Sequence, residues 1–218
     1  MRPSLFVVVV GTTDVSLIPG ISVAGASPEL THLTPALDVE YLVAGRPLTL
    51  DVIPVTPQGI PTPALVTRAV AYDVPKLVIN AGSRWAPKVP YVELGGEPGR
   101  DIRFFPAISR EAAENIVQRG RVLGRELGRL GVVYIGESIP GGTTTAMAIL
   151  VALGYDAWGR TSSASPNNPK ELKAAVVKKA LERAGRPLDP LEAARQVGDP
   201  VHIALAAVAL GVAEGGGT

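Results

Sequence analysis

The chain has 218 residues, 21 Lys and Arg against 20 Asp and Glu, and 46% hydrophobic residues. That length and apolar content exclude a disordered chain and suffice for one domain with a sizeable core. A formal net charge of +1, with no cluster of Lys or Arg, argues against a dedicated nucleic-acid binder or a polybasic membrane binder. With no cysteine, disulfides, thiolate catalysis and Cys-based zinc sites are excluded. His32 and His202 are too far apart in sequence to suggest a multi-histidine metal centre, so none is expected; a carboxylate-bound Mg²⁺ is the alternative left open. An aromatic content of 5% disfavours a base-stacking surface. Abundant proline with few Asn and Gln points to a thermophilic source.

In chain order, Leu5–Val10 reads as a buried strand that enters a Gly11-Thr-Thr-Asp14 turn. It carries no signal-peptide cleavage region. The longest apolar stretches, Leu5–Val10, Ala146–Leu153 and Ile203–Leu210, fall far short of the ~20 residues of a membrane span. A cytoplasmic protein is expected. Residues 18–67 are rich in Pro and Gly and read as extended loops with short helices covering a site. Within them, Thr49–Val55 is short and β-branched and reads as a second strand. Asp38 and Glu40 would face one side if Leu37–Leu42 were extended. Lys76–Asn80 and Val132–Ile135 are the remaining strands.

Helical patterns lie between and after them. Ser109 caps a helix to Leu130 with Ile116, Leu123, Leu127 and Leu130 on one face. Asn168-Pro-Lys-Glu171 predicts a second start, with Asn as cap and the helix ending at Gly185. Asp189-Pro190 and Asp199-Pro200 predict two more. Strands alternating with helices define an α/β fold: three layers, doubly wound, on a mostly parallel sheet, with a Pro/Gly-rich N-terminal excursion. No internal repeat is found. Val201–Ala213 is apolar almost all round and calls for burial on several sides. Either a partner subunit buries it, giving a homodimer, or C-terminal elements are missing; the fragment reading is preferred for residues 1–218.

The sharpest motif is Val132-Val-Tyr-Ile-Gly-Glu-Ser-Ile-Pro-Gly-Gly-Thr-Thr-Thr145, a strand, a glycine-rich turn and a helix opened by threonines. Amide N–H groups at such a start favour an anion, and glycines let a phosphate approach. Gly142 stands where a nucleoside-triphosphate loop carries lysine, so a monophosphate fits better. A tight structural turn with Thr as cap remains the alternative. Glu137 and Ser138 fall at a strand end, where α/β sheets present side chains to a ligand crevice. Glu137 suits ribose hydroxyls or a positively charged ring, or is simply solvated. Thr161–Pro169 is a hydroxyl-rich loop that forms either a second anion cradle, with Lys173 close behind, or a polar connector. Arg84 follows the Lys76–Asn80 strand and is either an anion contact or a surface residue. His32 has no visible partner, and His202 reads as a packed, hydrogen-bonded residue. There is no nucleophile elbow and no Gly-x-Gly-x-x-Gly after a strand.

With Gly20-Ile-Ser-Val-Ala-Gly-Ala-Ser-Pro-Glu-Leu-Thr31, Pro61-Thr-Pro63, Val89-Pro-Tyr-Val-Glu-Leu-Gly-Gly-Glu-Pro98 and Ser163-Ala-Ser-Pro-Asn-Asn-Pro169, this motif resembles the archaeal-type relatives of nicotinate-nucleotide–dimethylbenzimidazole phosphoribosyltransferase. The resemblance spans nearly the whole chain. It implies transfer of phosphoribosyl from nicotinate mononucleotide to an aromatic azole base, in synthesis of the cobalamin lower ligand, without a cofactor. It also implies that Glu137, Ser138, Gly141, Gly142, Thr143 and Thr144 hold the donor, with Lys173 on its phosphate and Ser163 or Ser165 assisting. The bacterial Asp-His-Gly element is replaced here by Gly11-Thr-Thr-Asp14. The family's catalytic glutamate lies beyond Thr218, which leaves the general base unassigned. The alternative function is a non-catalytic protein or fragment that binds a phosphoribosyl compound.

Overall fold

The first apolar run forms β1 (Ser4–Gly11) in the computed structural model, which describes residues 4–185 and 189–218. Its valines are buried on both faces, Val7 and Val9 to one side, Val8 and Val10 to the other. A strand covered twice needs a continuous apolar run, not an alternating one. β2 (Lys76–Gly82) and β4 (Val132–Ser138) flank β1, and β3 (Tyr91–Glu93) pairs outside β2. Every pairing is parallel, in the order β3-β2-β1-β4. The chain therefore leaves β1 toward one edge and later returns to its other side. That reversal opens a crevice beyond the C-terminal ends of β1 and β4.

The Pro/Gly-rich segment contains α1 (Pro28–Thr31), α2 (Thr34–Ala44) and α3 (Ala64–Val70). Val39, Leu42 and Ala64 pack on Val8, Val10 and Val78, covering one sheet face. On the other face, α4 (Arg110–Gly128) and α8 (Pro200–Glu214) bring Ile116, Ala204 and Val208 onto Val7, Val9 and Ile79. The remaining helices, α5 (Gly142–Ala152), α6 (Lys170–Ala184) and α7 (Pro190–Val197), gather around Met147, Val177 and Val197. This second core also buries Val15 of a 3₁₀ turn, Asp14–Leu17. The result is the expected three-layer α/β architecture, with a wholly parallel sheet among the described residues. No helix among them is long and apolar enough to cross a membrane.

Three predicted helix starts form as read. Ser109 accepts from the Ala112 N–H, Asp189 from Glu192 and Asp199 from His202. The fourth differs, because Asn168 does not cap α6; Pro169 holds that position without a side-chain bond. The Asn168 amide instead donates to the Thr161 carbonyl at 2.8 Å, pinning the two ends of the hydroxyl-rich loop together. Gly185 ends α6 in the left-handed region, as predicted.

Two other expectations are corrected. Thr49–Val55 is not a strand; Val55 makes only an isolated bridge to Pro61. Pro47 precedes the run and Pro54 interrupts it, and its start is fixed instead by the Glu40 carboxylate, which accepts the amides of Leu48 and Thr49 and the Thr49 hydroxyl. Leu37–Leu42 is helical within α2, so Asp38 and Glu40 diverge by about 200° around the axis instead of sharing a face. Glu40 faces that loop and the Lys88 amide; Asp38 faces the crevice.

One side of α8, with Ile203, Ala204, Ala207, Val208 and Val212, is buried within the chain by α4 and the sheet, while Ala206, Ala209, Leu210 and Ala213 remain exposed. A seam of glycines makes this possible. A Cβ on Gly120 would stand 2.9 Å from the Ala207 Cβ, and one on Gly124 or Gly128 would stand 2.3 Å from the Val208 or Val212 carbonyl oxygen. The two helices therefore meet backbone to backbone. Gly124→Ala is expected to destabilise the protein by about 1–3 kcal/mol through overpacking, although alanine is the better helix former. Thermal unfolding of the variant against the wild type measures this; an unchanged or raised Tm contradicts the seam.

Candidate functional site at the β1–β4 crevice

The crevice holds a cavity of about 360 Å³. Phe6 and Val8 of β1 and Gly136–Ser138 of β4 form its floor, and α2 forms one wall. Ile21–Gly25 and the segment Pro54–Ala64 close over it, so the Pro/Gly-rich excursion covers the site, as read from its composition. The remaining wall is the turn from β4 into α5, together with Ser163 and Ala164.

That turn leaves backbone donors free at a helix start. Gly141 is the N-cap of α5 at φ 81°, with no side-chain cap, so none of the threonines acts as cap. A Cβ at Gly141 would also lie about 3.0 Å from the Ser16 backbone nitrogen. The Gly142 and Thr144 amides turn back onto the Ile139 and Gly141 carbonyls. Among the described residues, the Gly141 and Thr143 amides have no partner. They stand at the positive end of the helix.

Each threonine has a separate task. Thr143 lines the cavity and accepts from the Lys173 ammonium at 2.9 Å. Thr144 is fully buried with its hydroxyl unpartnered. Thr145 donates to Asp199 at 2.5 Å. Lys173 stands behind Thr143 with only 1% of its surface exposed, and also donates to the Ser162 carbonyl. No carboxylate among the described residues pairs with it. Burial pushes the ammonium below the usual lysine range. Ser163 borders the cavity and accepts the Ser165 amide at 3.1 Å, while Ser165 itself is not on the wall. The structure thus brings Glu137, Ser138, Gly141, Gly142, Thr143 and Ser163 to one cavity, with Thr144 and Lys173 directly behind.

The sheet separates Glu137 from Ser138. Ser138 points to the α2 side and donates to Asp38 Oδ2 at 2.7 Å. Glu137 shares the side of Val9, its register partner, and faces α8. There His202 Nδ1 lies 2.6 Å from Asp199 Oδ2, and its ring lies under the backbone of the turn into α5, with Cε1 3.7 Å from where a Gly142 Cβ would be. Burial alone would raise Asp199, but the His202 charge and hydrogen bonds from His202 and Thr145 hold it below the ordinary carboxylate range. The same pairing outweighs burial and raises His202. Burial and the Asp199 charge raise Glu137, against the pull of His202. Sequence reading takes His202 for a packed residue and misses this Asp–His–Glu cluster. The Asp-Pro-x-His spacing is its only signal.

Sequence reading also misses Asp38 as a cavity residue. It is 7% exposed, and its Oδ1 has no hydrogen-bond partner. Burial pushes its carboxyl up to about 6 despite the Ser138 and Thr62 hydroxyls beside it. Arg84 and His32 are not on the cavity wall. Arg84 pairs with Asp14 at 3.0 Å, and His32 sits against the Thr13 carbonyl, pushed down by burial. Among the described residues, no group of three or more His, Asp or Glu is placed to hold a metal ion.

A parallel sheet with a glycine-opened helix and a buried lysine at its switch point defines an α/β protein with a crevice beyond the strand ends. The chain belongs to the phosphoribosyltransferase family, whose model matches residues 65–216. It is 77% identical over 217 residues to a UPF0284 protein of Pyrobaculum calidifontis, covering 100% of this chain and 65% of that one. A UPF0284 protein of Saccharolobus solfataricus is 54% identical over 209 residues, covering 94% and 59%. The chain therefore spans about three fifths to two thirds of the length of these relatives. Its fold is similar to the crystal structure of nicotinate-nucleotide-dimethylbenzimidazole phosphoribosyltransferase from Thermus thermophilus. The TM-score is 0.70 at 22% identity, over 99% of this chain and 59% of that one. A structure of CobT from the same organism gives 0.70 at 23%.

The Asp199–His202 pair makes stability depend on pH. His202 is raised in the fold, so its contribution is complete below its ordinary value of 6.5 and is lost as pH rises through the raised folded value. Asp199 is depressed, so its contribution holds above the ordinary aspartate range and is lost as pH falls through its folded value. Chemical denaturation from pH 5 to 9 should show the wild type losing stability relative to His202→Gln as pH rises above 6.5. A constant difference between the two contradicts the pairing.

Proposed function

We propose that the crevice holds nicotinate mononucleotide, and that the protein transfers its phosphoribosyl group to an aromatic azole. The observation that carries this reading is the buried Lys173 ammonium behind Thr143, without a carboxylate partner, at the opening of α5. Burying an unpaired charge is costly unless it serves something that supplies the opposite charge. A phosphomonoester on the Gly141 and Thr143 amides would do so, with Lys173 acting through Thr143. Gly142, at a Walker-like position, leaves room for one phosphate and offers no lysine for a triphosphate.

In the reaction, an azole nitrogen attacks C1′ of the ribose and the bond from C1′ to the pyridinium nitrogen breaks. The electron pair leaves with nicotinate, and the azole N–H proton is released. The chain's part is to fix the phosphate and ribose so that C1′ faces the acceptor. Glu137, at the end of β4 and on the cavity lining, would meet the ribose hydroxyls or the cationic pyridinium ring. The family match and the fold of the Thermus thermophilus enzyme support this reading.

Calorimetric titration with nicotinate mononucleotide tests it, with nicotinamide mononucleotide as comparison. The nicotinate form should bind selectively, and Lys173→Ala should weaken it by about 1.5–3 kcal/mol, the worth of a hydrogen bond to a charged group. The unfolding transition of the variant verifies its fold. An unchanged Kd removes Lys173 from the phosphate site; no binding by the wild type overturns the donor assignment.

A further inference from the structure

We infer that the His202 imidazolium is a positioning charge for the ligand phosphate: it compensates the Asp199 carboxylate buried under the α5 turn, and without it that turn repels the anion. This rests on the reading of the turn as a phosphate site. Asp199 is fully buried. Its Oδ1 accepts the His202 amide at 2.9 Å, which caps α8. Its Oδ2 accepts from the Thr145 hydroxyl and lies 2.6 Å from His202 Nδ1. Thr145 also lies 2.9 Å from the Gly142 carbonyl, so the carboxylate stands against the first turn of α5. A phosphate on the Gly141 and Thr143 amides would share that positive helix end with it. Among the described residues, His202 is the only ion-pair partner of Asp199.

Glu137 makes the compensation more necessary. It lies on the same side of the sheet and faces α8, so two acids stand near the backbone that would carry the phosphate. The imidazole is beneath Gly142, while Lys173 reaches the turn separately, through Thr143. The charged groups that face His202 are Asp199 on its own helix and Glu137 on β4. α5 presents Gly142 to it, and no ion pair among the described residues links it to α4 or α7. The Asp199 pairing raises His202, so the imidazolium is complete below 6.5 and is lost as pH rises through the raised value. Loss of that proton would leave the buried Asp199 carboxylate uncompensated. The affinity for a phosphomonoester should therefore fall with it.

The test is calorimetric titration of the 218-residue chain with ribose 5-phosphate and with nicotinate mononucleotide, from pH 6.5 to 9.5. At pH 6.5, His202→Gln should bind either compound about tenfold more weakly than the wild type, the order expected for one charge in partly buried surroundings. The gap should narrow as pH rises and the wild type loses its imidazolium. Titration of the phosphate and of Lys173 is common to both proteins and cancels in the comparison. Adding Asp199→Asn to His202→Gln removes the carboxylate as well, keeps a side chain able to cap α8, and should restore binding to within about threefold of the wild type. A role in packing alone predicts no such rescue and no dependence on pH. A gap that does not narrow, or a double variant no better than His202→Gln, overturns the inference. Should the double variant fail to fold, the two pH profiles still decide. Nicotinate mononucleotide binding that ignores His202 overturns this inference alone. Ribose 5-phosphate binding that follows His202, with none for nicotinate mononucleotide, overturns the donor reading alone; binding of neither overturns both.

Discussion

The position of β1 governs the molecule. It is paired in parallel on both sides and buried on both faces, so every other layer is referred to it. Because β2 joins one edge and β4 the other, the loops after β1 and β4 are driven apart, and the space between them is bounded by backbone that cannot collapse. The glycine turn into α5, the floor of Phe6 and Val8, and the covering segment from the N-terminal excursion all meet at that one gap.

The protein deals with its buried charges in two ways. Glu40 and Asp199 are completed from within: Glu40 by the amides of Leu48, Thr49 and Lys88 and the Thr49 hydroxyl, Asp199 by His202 and Thr145. Burial works against both, and the hydrogen bonds outweigh it, so both are held below the ordinary carboxylate range. Asp38 and Lys173 are different. They sit on or just behind the crevice, retain unused bonding capacity, and are displaced by burial toward their neutral forms. Four of the buried polar atoms left without partners belong to this neighbourhood: those of Asp38, Thr144, Thr161 and Asn168. A fold optimised only for stability would have filled these positions with apolar side chains.

Much of this is legible in the sequence. Continuous valines announce β1, and the Ser and Asp-Pro signals locate α4, α7 and α8, because a cap is a contact between residues three apart. The glycine turn into α5 is also readable, since glycines followed by a helix start are a local device. What escapes is non-local. Thr49–Val55 has strand chemistry but no strand edge beside it, and the carboxylate that fixes its start comes from Glu40 in another element. Read on the period of a strand, Asp38 is paired with Glu40; in α2 its companion is Ser138, 100 residues away. Nothing within three or four residues of Gly120, Gly124 or Gly128 says that another helix will lie against them, so from sequence even the side of α8 that α4 covers looks bare.

That glycine seam also acts as a register lock. Gly124 and Gly211 bring their Cα atoms so close that an added Cβ on either would meet the other's Cα at 2.9 Å. Sliding α8 along α4 by one residue would set Arg125 or Leu123 where a glycine is needed, so only one seating is open. At ~1.5 Å per residue, His202 lies about 13 Å along α8 from Gly211. The seam thus works as a ruler, setting the distance from the far end of the helix pair to the imidazole beneath the Gly142 turn. Bulk added in the α4–α8 contact would be felt beneath the Gly142 turn as a displacement of His202, with no residue of the crevice wall changed.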